Sequence, residues 1–180
     1  MLKKSKSIYF IKNLFTFVDE KTKLDIIKYN KNMQNIMNIN LTNYKFFSNK
    51  YIIFEENGKI KEYDGYDDRL LFEGGYLNWK RNGKGKEYYL NGKLEFEGEY
   101  LNGEKNGKGK EYYDDGTLKF EGEYLNGKRN GKGKEYDYSG ILIYEGEYLN
   151  GKRNGKGKEY DLDGQLEFDG EYLNGNKIIN

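Results

Sequence analysis

From about residue 50 onward, apolar and polar positions alternate with period two, and the alternation breaks at Asn-Gly, Asp-Gly and Ser-Gly pairs. That pattern predicts short strands with one packed and one polar face, joined by turns. In Leu118-Lys119-Phe120-Glu121-Gly122-Glu123-Tyr124, the residues Leu118, Phe120, Gly122 and Tyr124 share one face, with Glu121 and Glu123 on the other. Lys132-Gly133-Lys134-Glu135-Tyr136 is the second strand. Between them, Asn126-Gly127-Lys128-Arg129-Asn130-Gly131 reads as the wider loop. Ser139-Gly140 reads as the tighter turn, like Asn91-Gly92, Asp115-Gly116 and Asp163-Gly164. A two-residue turn at Asp115-Gly116 pairs Lys110 with Glu121 and Lys108 with Glu123 and points Tyr112 away from Phe120; a three-residue turn or a bulge reverses that facing.

The whole unit recurs. Its central glycine stands at Gly74, Gly98, Gly122, Gly146 and Gly170, an unbroken spacing of 24 residues. A fixed period of this size signals a stacked array. The Gly-Xaa-Gly pair in each second strand costs about 0.5–1 kcal/mol per glycine relative to alanine. Its retention implies a steric need, met by a ring such as Phe120 or Tyr124 lying flat across the bare backbone of a neighbouring strand.

Upstream the period is helical. Ile8, Ile11, Leu14, Phe15 and Val18 line one face of a first helix, and Thr22-Lys23-Leu24-Asp25 opens a second with Leu24, Ile26 and Ile27. Met33, Ile36 and Met37 suggest a third. The predicted organisation is a small basic helical segment over 1–43, a degenerate first hairpin over 44–71, and the array over 72–180, with four full units and a truncated last one. In the degenerate unit, strands Lys50–Glu55 and Lys59–Tyr63 flank Glu56-Asn57-Gly58. The fold class expected is mainly β: an elongated single-layer antiparallel meander of hairpin repeats with an N-terminal helical cap.

Composition narrows the chemistry. Of 180 residues 34% are charged and 36% hydrophobic, the latter nearly half aromatic, with 19 Tyr and 10 Phe. A thin sheet covered by aromatic rings fits this; disorder does not, since disordered segments are poor in aromatics. The chain has no Cys and no His, which removes disulfides, thiol nucleophiles and the usual transition-metal ligands. No cofactor is expected. Residues 1–50 carry ten lysines against Asp19, Glu20 and Asp25, whereas the remainder has 27 acidic and 21 basic groups. The apolar run Ile8–Ile11 ends at Lys12-Asn13, short of the roughly 7–15 residues of a secretory h-region. The expectation is a cytoplasmic protein, peripheral to a membrane if it binds lipid.

The repeated residues resemble the MORN (membrane occupation and recognition nexus) repeat. The family pattern is aromatic-Glu-Gly-Glu-aromatic followed by Asn-Gly-Lys-Arg-Xaa-Gly-Xaa-Gly. Here it is matched by Tyr144-Glu145-Gly146-Glu147-Tyr148 with Asn150-Gly151-Lys152-Arg153-Asn154-Gly155-Lys156-Gly157, and by the other central units. The resemblance covers residues 72–176, and 50–71 more weakly. Gly75 in place of Glu, Trp79 in place of Gly and a period of 24 instead of 23 depart from it. The resemblance implies a twisted single-layer sheet acting as a scaffold or protein-interaction module, with links to anionic phospholipids in some members. A weaker resemblance, over Ile11–Asp19 with Leu24 and Ile27, is to the F-box, a helical motif that docks on ubiquitin-ligase adaptors. It would place docking on Leu14, Phe15, Phe17, Leu24 and Ile27, although the usual Leu-Pro start is missing.

Catalysis is not expected, because the carboxylates Glu73, Glu97, Glu121 and Glu145 recur in every unit and none is set apart. Nucleic acid is disfavoured because glutamates interleave the lysines throughout the array. The function expected is a non-catalytic scaffold that binds protein through the aromatic sheet. Its candidate surface is Tyr76, Trp79, Tyr100, Tyr124, Tyr148 and Tyr172, together with the second-strand Tyr88, Tyr112, Tyr136 and Tyr160. One alternative is tethering to anionic lipid by Lys80, Arg81, Lys128, Arg129, Lys152 and Arg153; another is an F-box-like substrate adaptor. The irregular Gly75 and Trp79 mark the first place to seek a specific contact.

Overall fold

The computed structural model of the chain describes residues 50–54, 59–78 and 80–179. The expected N-terminal helices, their F-box-like docking residues and Trp79 lie outside the described residues. Twelve strands follow one another in chain order in one open sheet. They are β1 (Lys50–Phe54), β2 (Ile60–Asp64), β3 (Leu70–Leu77), β4 (Lys80–Tyr88), β5 (Leu94–Leu101) and β6 (Glu104–Tyr112). There follow β7 (Leu118–Leu125), β8 (Lys128–Tyr136), β9 (Leu142–Leu149), β10 (Lys152–Tyr160), β11 (Leu166–Leu173) and β12 (Asn176–Ile178).

The described residues divide between two units, one holding 50–53 and 62–69, the other 54, 59–61, 70–78 and 80–179. In the first, Tyr51 is buried and stacks on Tyr63 with ring centroids 5.1 Å apart. Its hydroxyl donates to Asp68 at 2.9 Å. Asp64 caps the following turn by accepting from the Tyr66 amide at 2.8 Å.

The second unit contains the regular array, and its two kinds of turn are the reverse of the sequence expectation. The Asn-Gly pairs that follow the Glu-Tyr-Leu segments make the tight turn: Asn126 and Gly127 have φ of 49° and 78°, and Leu125 already pairs with Lys128. Positive φ at both central residues matches a type I′ turn, whose twist suits antiparallel strands and which Asn-Gly adopts at least cost. Lys128, Arg129 and Asn130 are therefore strand, not loop. The extra length is absorbed by a bulge, where the register shifts between Gly122 and Tyr124 and Gly131 takes φ of 93°. The Asp-Gly end is the wider one. Tyr113 N–H reaches the Thr117 carbonyl and Gly116 N–H the Tyr113 carbonyl, while Asp115 Oδ1 accepts from the Thr117 amide. Successive tight turns are also tied together, since the Gly127 and Gly151 amides donate to the carbonyls of Lys105 and Arg129 in the preceding unit.

The expected Lys/Glu ladder forms: Lys108 pairs with Glu123 and Lys110 with Glu121. It coexists with the wider turn because a second bulge, between Glu111 and Tyr112, restores the register. That bulge settles the facing of the second-strand tyrosines. Tyr112 lies on the Lys/Glu face, where its hydroxyl donates to Glu97 at 2.8 Å, and Tyr136 does the same to Glu121 at 3.0 Å.

Glycines face each other in every pairing from Gly74↔Gly85 to Gly157↔Gly170, forming a continuous bare row across nine strands. The expectation that rings lie over this row holds. A Cβ on Gly122 would fall 2.7 Å from the Phe120 ring, and one on Gly109 would fall 3.2 Å from Tyr124.

Candidate functional site

The two faces of the array are chemically distinct, and the sequence pattern determines which residues go to each. On the first face, Phe72, Phe96, Phe120 and Tyr144 are fully buried and alternate with Tyr100, Tyr124, Tyr148 and Tyr172, at 3–4% exposure. Their rings meet edge-to-face in an unbroken ladder: Phe96 contacts Tyr100 at 5.6 Å and Tyr124 at 5.3 Å, and Phe120 contacts Tyr124 and Tyr148 at the same separations. These four tyrosines are thus core. They do not belong to an exposed partner surface, and the aromatic groove expected from the sequence is filled by its own rings. Tyr76 is half-buried and packs beside Phe72 at 6.1 Å.

The candidate lipid-binding arginines are also consumed on this face. Each second strand from β4 to β10 pairs its Arg or Lys with the Tyr of the preceding strand and its Glu with the ring four residues before that Tyr, as in Tyr124↔Arg129 and Phe120↔Glu135. This register lays Arg129 over the Phe120 ring at 4.0 Å, Lys105 over Phe96 at 4.1 Å and Arg153 over Tyr144 at 4.1 Å. The same cations bridge carboxylates of successive units. Arg129 binds Glu135 at 2.7 Å and Glu111 at 2.5 Å, Arg153 binds Glu135 at 2.5 Å and Glu159 at 3.5 Å, and Lys177 binds Glu159 at 2.6 Å. Arg81 likewise bridges to Glu87, which also takes Lys105 at 3.2 Å. Apart from Lys177, at 36%, these groups are about 20% exposed, so their pairs are better shielded than surface ones. Sequence reasoning treated Arg129 and Arg153 as loop residues and missed this chain. Its signal was the fixed offset of six between Arg129 and Glu135, repeated in Arg81 and Glu87 and in Arg153 and Glu159.

Burial by itself would raise the Glu111 pKa, but Arg129 and Lys105 outweigh it and the net shift is downward. Glu159 is lowered in the same way, with Lys177, Tyr172 and Arg153 overcoming burial. Tyr112 and Tyr136 are pushed up to about 12, first by burial and then by the hydrogen bonds to Glu97 and Glu121. A lowered carboxylate stabilises the fold fully above its unfolded value of about 4.3 and loses that contribution as pH falls through the folded value. A raised tyrosine contributes below about pH 10 and loses that contribution as pH rises through the folded value. The urea midpoint is therefore expected to be flat between about pH 5 and 9 and to fall on either side. Glu111→Gln should flatten the acid limb; a midpoint that rises on acidification would contradict the ion-pair chain.

The opposite face carries the candidate site. A groove of about 1140 Å³ runs along it from Lys59–Lys61 to Asp169, floored by the backs of the paired glycines and walled by lysines and glutamates. Two rows of alternating charge cross the strands. In one, neighbours are ion-paired: Lys86–Glu97 at 3.8 Å, Lys110–Glu121 at 3.5 Å and Lys134–Glu145 at 3.6 Å. In the other, Lys84, Glu99, Lys108, Glu123, Lys132, Glu147 and Lys156 are all exposed and make no ion pair among the described residues. Tyr88, Tyr112, Tyr136 and Tyr160 stand at the wide-turn end, half-buried, with hydroxyls held by Glu73, Glu97, Glu121 and Glu145. At the tight-turn end, Leu77, Leu101, Leu125, Leu149 and Leu173 are 49–59% exposed. Since Tyr124 packs on the aromatic face, Leu125, one residue on, and its partner Lys128 belong to the groove face. Lys80, Lys128 and Lys152 are exposed there.

Gly75 occupies the position of Glu99, Glu123 and Glu147 in the first full unit, and there the Asn82 carbonyl oxygen stands where a Cβ would go. Among the described residues no cluster of acidic side chains could hold a metal ion, and no helix is long and apolar enough to cross a membrane.

Comparison with known proteins agrees with the geometry. The MORN repeat model matches residues 96–118, 120–141 and 144–165, and the MORN repeat variant model matches 81–102. No curated protein matches the chain. Among solved structures, one described as the crystal structure of TarM is similar over 61% of this chain, at 12% identity and a TM-score of 0.39. The chain spans 22% of that protein's length.

Proposed function

We propose that this chain, a MORN-repeat protein over residues 81–165, is a non-catalytic scaffold that binds protein partners along the Lys/Glu face of its sheet. The observation that carries the reading is the groove of about 1140 Å³, which runs across the units without any one being set apart. A catalytic centre needs a constellation made once. An array that presents the same residues at each step suits a long partner. The aromatic face supports this assignment by elimination, because its rings are spent on the core.

A second reading, anionic lipid, is favoured by one feature: exposed Leu125 and Leu149 stand beside exposed Lys128 and Lys152 at the tight-turn edge. Sedimentation of the full chain with phosphatidylserine and with neutral vesicles separates the two. The expected result is no sedimentation with either, together with protein adducts from a photo-crosslinking residue placed at Lys108. Salt-sensitive binding to the anionic vesicles that is lost in Leu125→Asp, without protein adducts, would replace the protein reading by the lipid one.

A further inference from the structure

We infer that the groove takes an α-helix laid across the strands, whose inward row alternates acidic and basic residues at i, i+3 or i+4, and i+7. The inference rests on the protein-binding reading and names the shape and charge of the partner. Its basis is the unpaired row described above. Lys108, Glu123, Lys132 and Glu147 sit on four consecutive strands, β6 to β9, exposed and without ion pairs among the described residues. The parallel row one pair further along the same strands is ion-paired within itself. One row is thus ion-paired internally, while the other presents charges of alternating sign to the groove, the Glu147 carboxylate taking only the Lys156 backbone amide at 3.2 Å.

Spacing selects the occupant. Neighbouring strands lie about 4.8 Å apart, so the charge changes sign every ~4.8 Å and repeats every ~9.6 Å. An α-helix rises ~1.5 Å per residue, so residues three or four apart on one face are ~4.5–6 Å apart and heptad positions ~10.5 Å apart. A helix laid along the row gains only ~0.9 Å on it per heptad, ~1.4 Å over the four strands β6 to β9, and meets every strand in turn. An extended strand repeats its facing side chain at ~6.6–6.8 Å and falls out of step. A polyproline helix repeats at ~9.3 Å but offers one side chain for every two strands, leaving each glutamate of the row uncompensated. A linear polyanion meets a like charge at Glu99, Glu123 and Glu147. The exposed leucine row, from Leu101 to Leu149, lies alongside and gives the helix an apolar flank on the tight-turn side.

The test uses the full chain and synthetic 28-residue peptides as probes, followed by fluorescence anisotropy at low salt. One peptide alternates Glu and Lys at i, i+3 and i+7 through four heptads, with leucine on the adjacent stripe. A second has the same composition with the charges respaced to a four-residue like-charge repeat, and a third carries Glu-Pro-Pro repeats. The in-phase helix is expected to bind at least tenfold more tightly than either. Lys108→Glu and Lys132→Glu, which leave an all-acidic run from Glu99 to Glu147, should remove that preference. Equal affinity for the first two peptides overturns the inference, as does tighter binding of the proline peptide. Photo-crosslinks from Lys108 to protein segments that are not helical also overturn it, yet leave the scaffold reading standing. Absence of protein adducts combined with vesicle binding defeats both.

Discussion

Phe120→Ala is expected to lower the unfolding free energy by about 3–5 kcal/mol. The ring is fully buried, though it lies in a sheet one layer thick. It meets Tyr124 and Tyr148 edge-to-face, supports the Arg129 guanidinium 4.0 Å from its centre and covers both Gly122 and Gly133. Truncation removes these contacts together, and no second layer can slide in to fill the gap. Arg129 keeps its carboxylates but loses the ring beneath it. Because each unit of an array is stabilised mainly by its neighbours, the loss should also weaken coupling between the halves on either side of β7. Urea unfolding followed by circular dichroism should show a lower midpoint and a broadened or split transition. Tyr144→Phe is the control. Its ring fills the same place in its unit, and its hydroxyl makes one 3.2 Å bond to the Glu147 carbonyl, so the change should cost no more than about 1 kcal/mol. Comparable losses for the two variants would show that the ladder is not what holds the sheet together.

The sequence made the strands, the glycine row and the ring positions legible because all three follow from period two laid on a 24-residue repeat. The Lys/Glu pairing of Lys110 with Glu121 was legible too. The two turns were not. Both ends carry an Xaa-Gly pair, and composition does not reveal that Asn126-Gly127 closes in two residues while Asp115-Gly116 sits inside a longer loop. Exchanging the two hid Arg129 and Arg153 in an apparent loop, so the ion-pair chain over the rings went unseen and those arginines were read as free cations. The facing of Tyr112 depended on a bulge whose extra residue no local signal marks. The candidate site suffered most from this. A count of tyrosines suggests an aromatic surface, whereas burial assigns Tyr100, Tyr124 and Tyr148 to the core and leaves the groove to lysine, glutamate and glycine.

Gly131 and Gly133 look alike in sequence and should respond differently to alanine. Gly131 has φ of 93°, and the atoms nearest a new Cβ belong to the flexible end of Glu123. Gly131→Ala should therefore cost chiefly the backbone strain, on the order of 1 kcal/mol. Gly133 is buried with ordinary φ, so its backbone would accept alanine, and the stiffer unfolded chain would even contribute a few tenths of a kcal/mol of stability. The obstacle is the Phe120 ring, less than 3 Å from the new Cβ, with the Glu121 carbonyl at 3.3 Å. That ring cannot retreat, since Tyr148 and Arg129 enclose it. Gly133→Ala should accordingly cost about 2–3 kcal/mol. The cause can be isolated in a double-mutant cycle with Phe120→Leu, whose smaller side chain leaves room for the methyl group. The double variant is expected to be more stable than the sum of the single losses by at least about 1 kcal/mol. Gly131→Ala combined with Phe120→Leu should show no such coupling. If both cycles are additive within about 0.3 kcal/mol, the ring is not the reason the second glycine is bare, and the steric account of the glycine row fails with it.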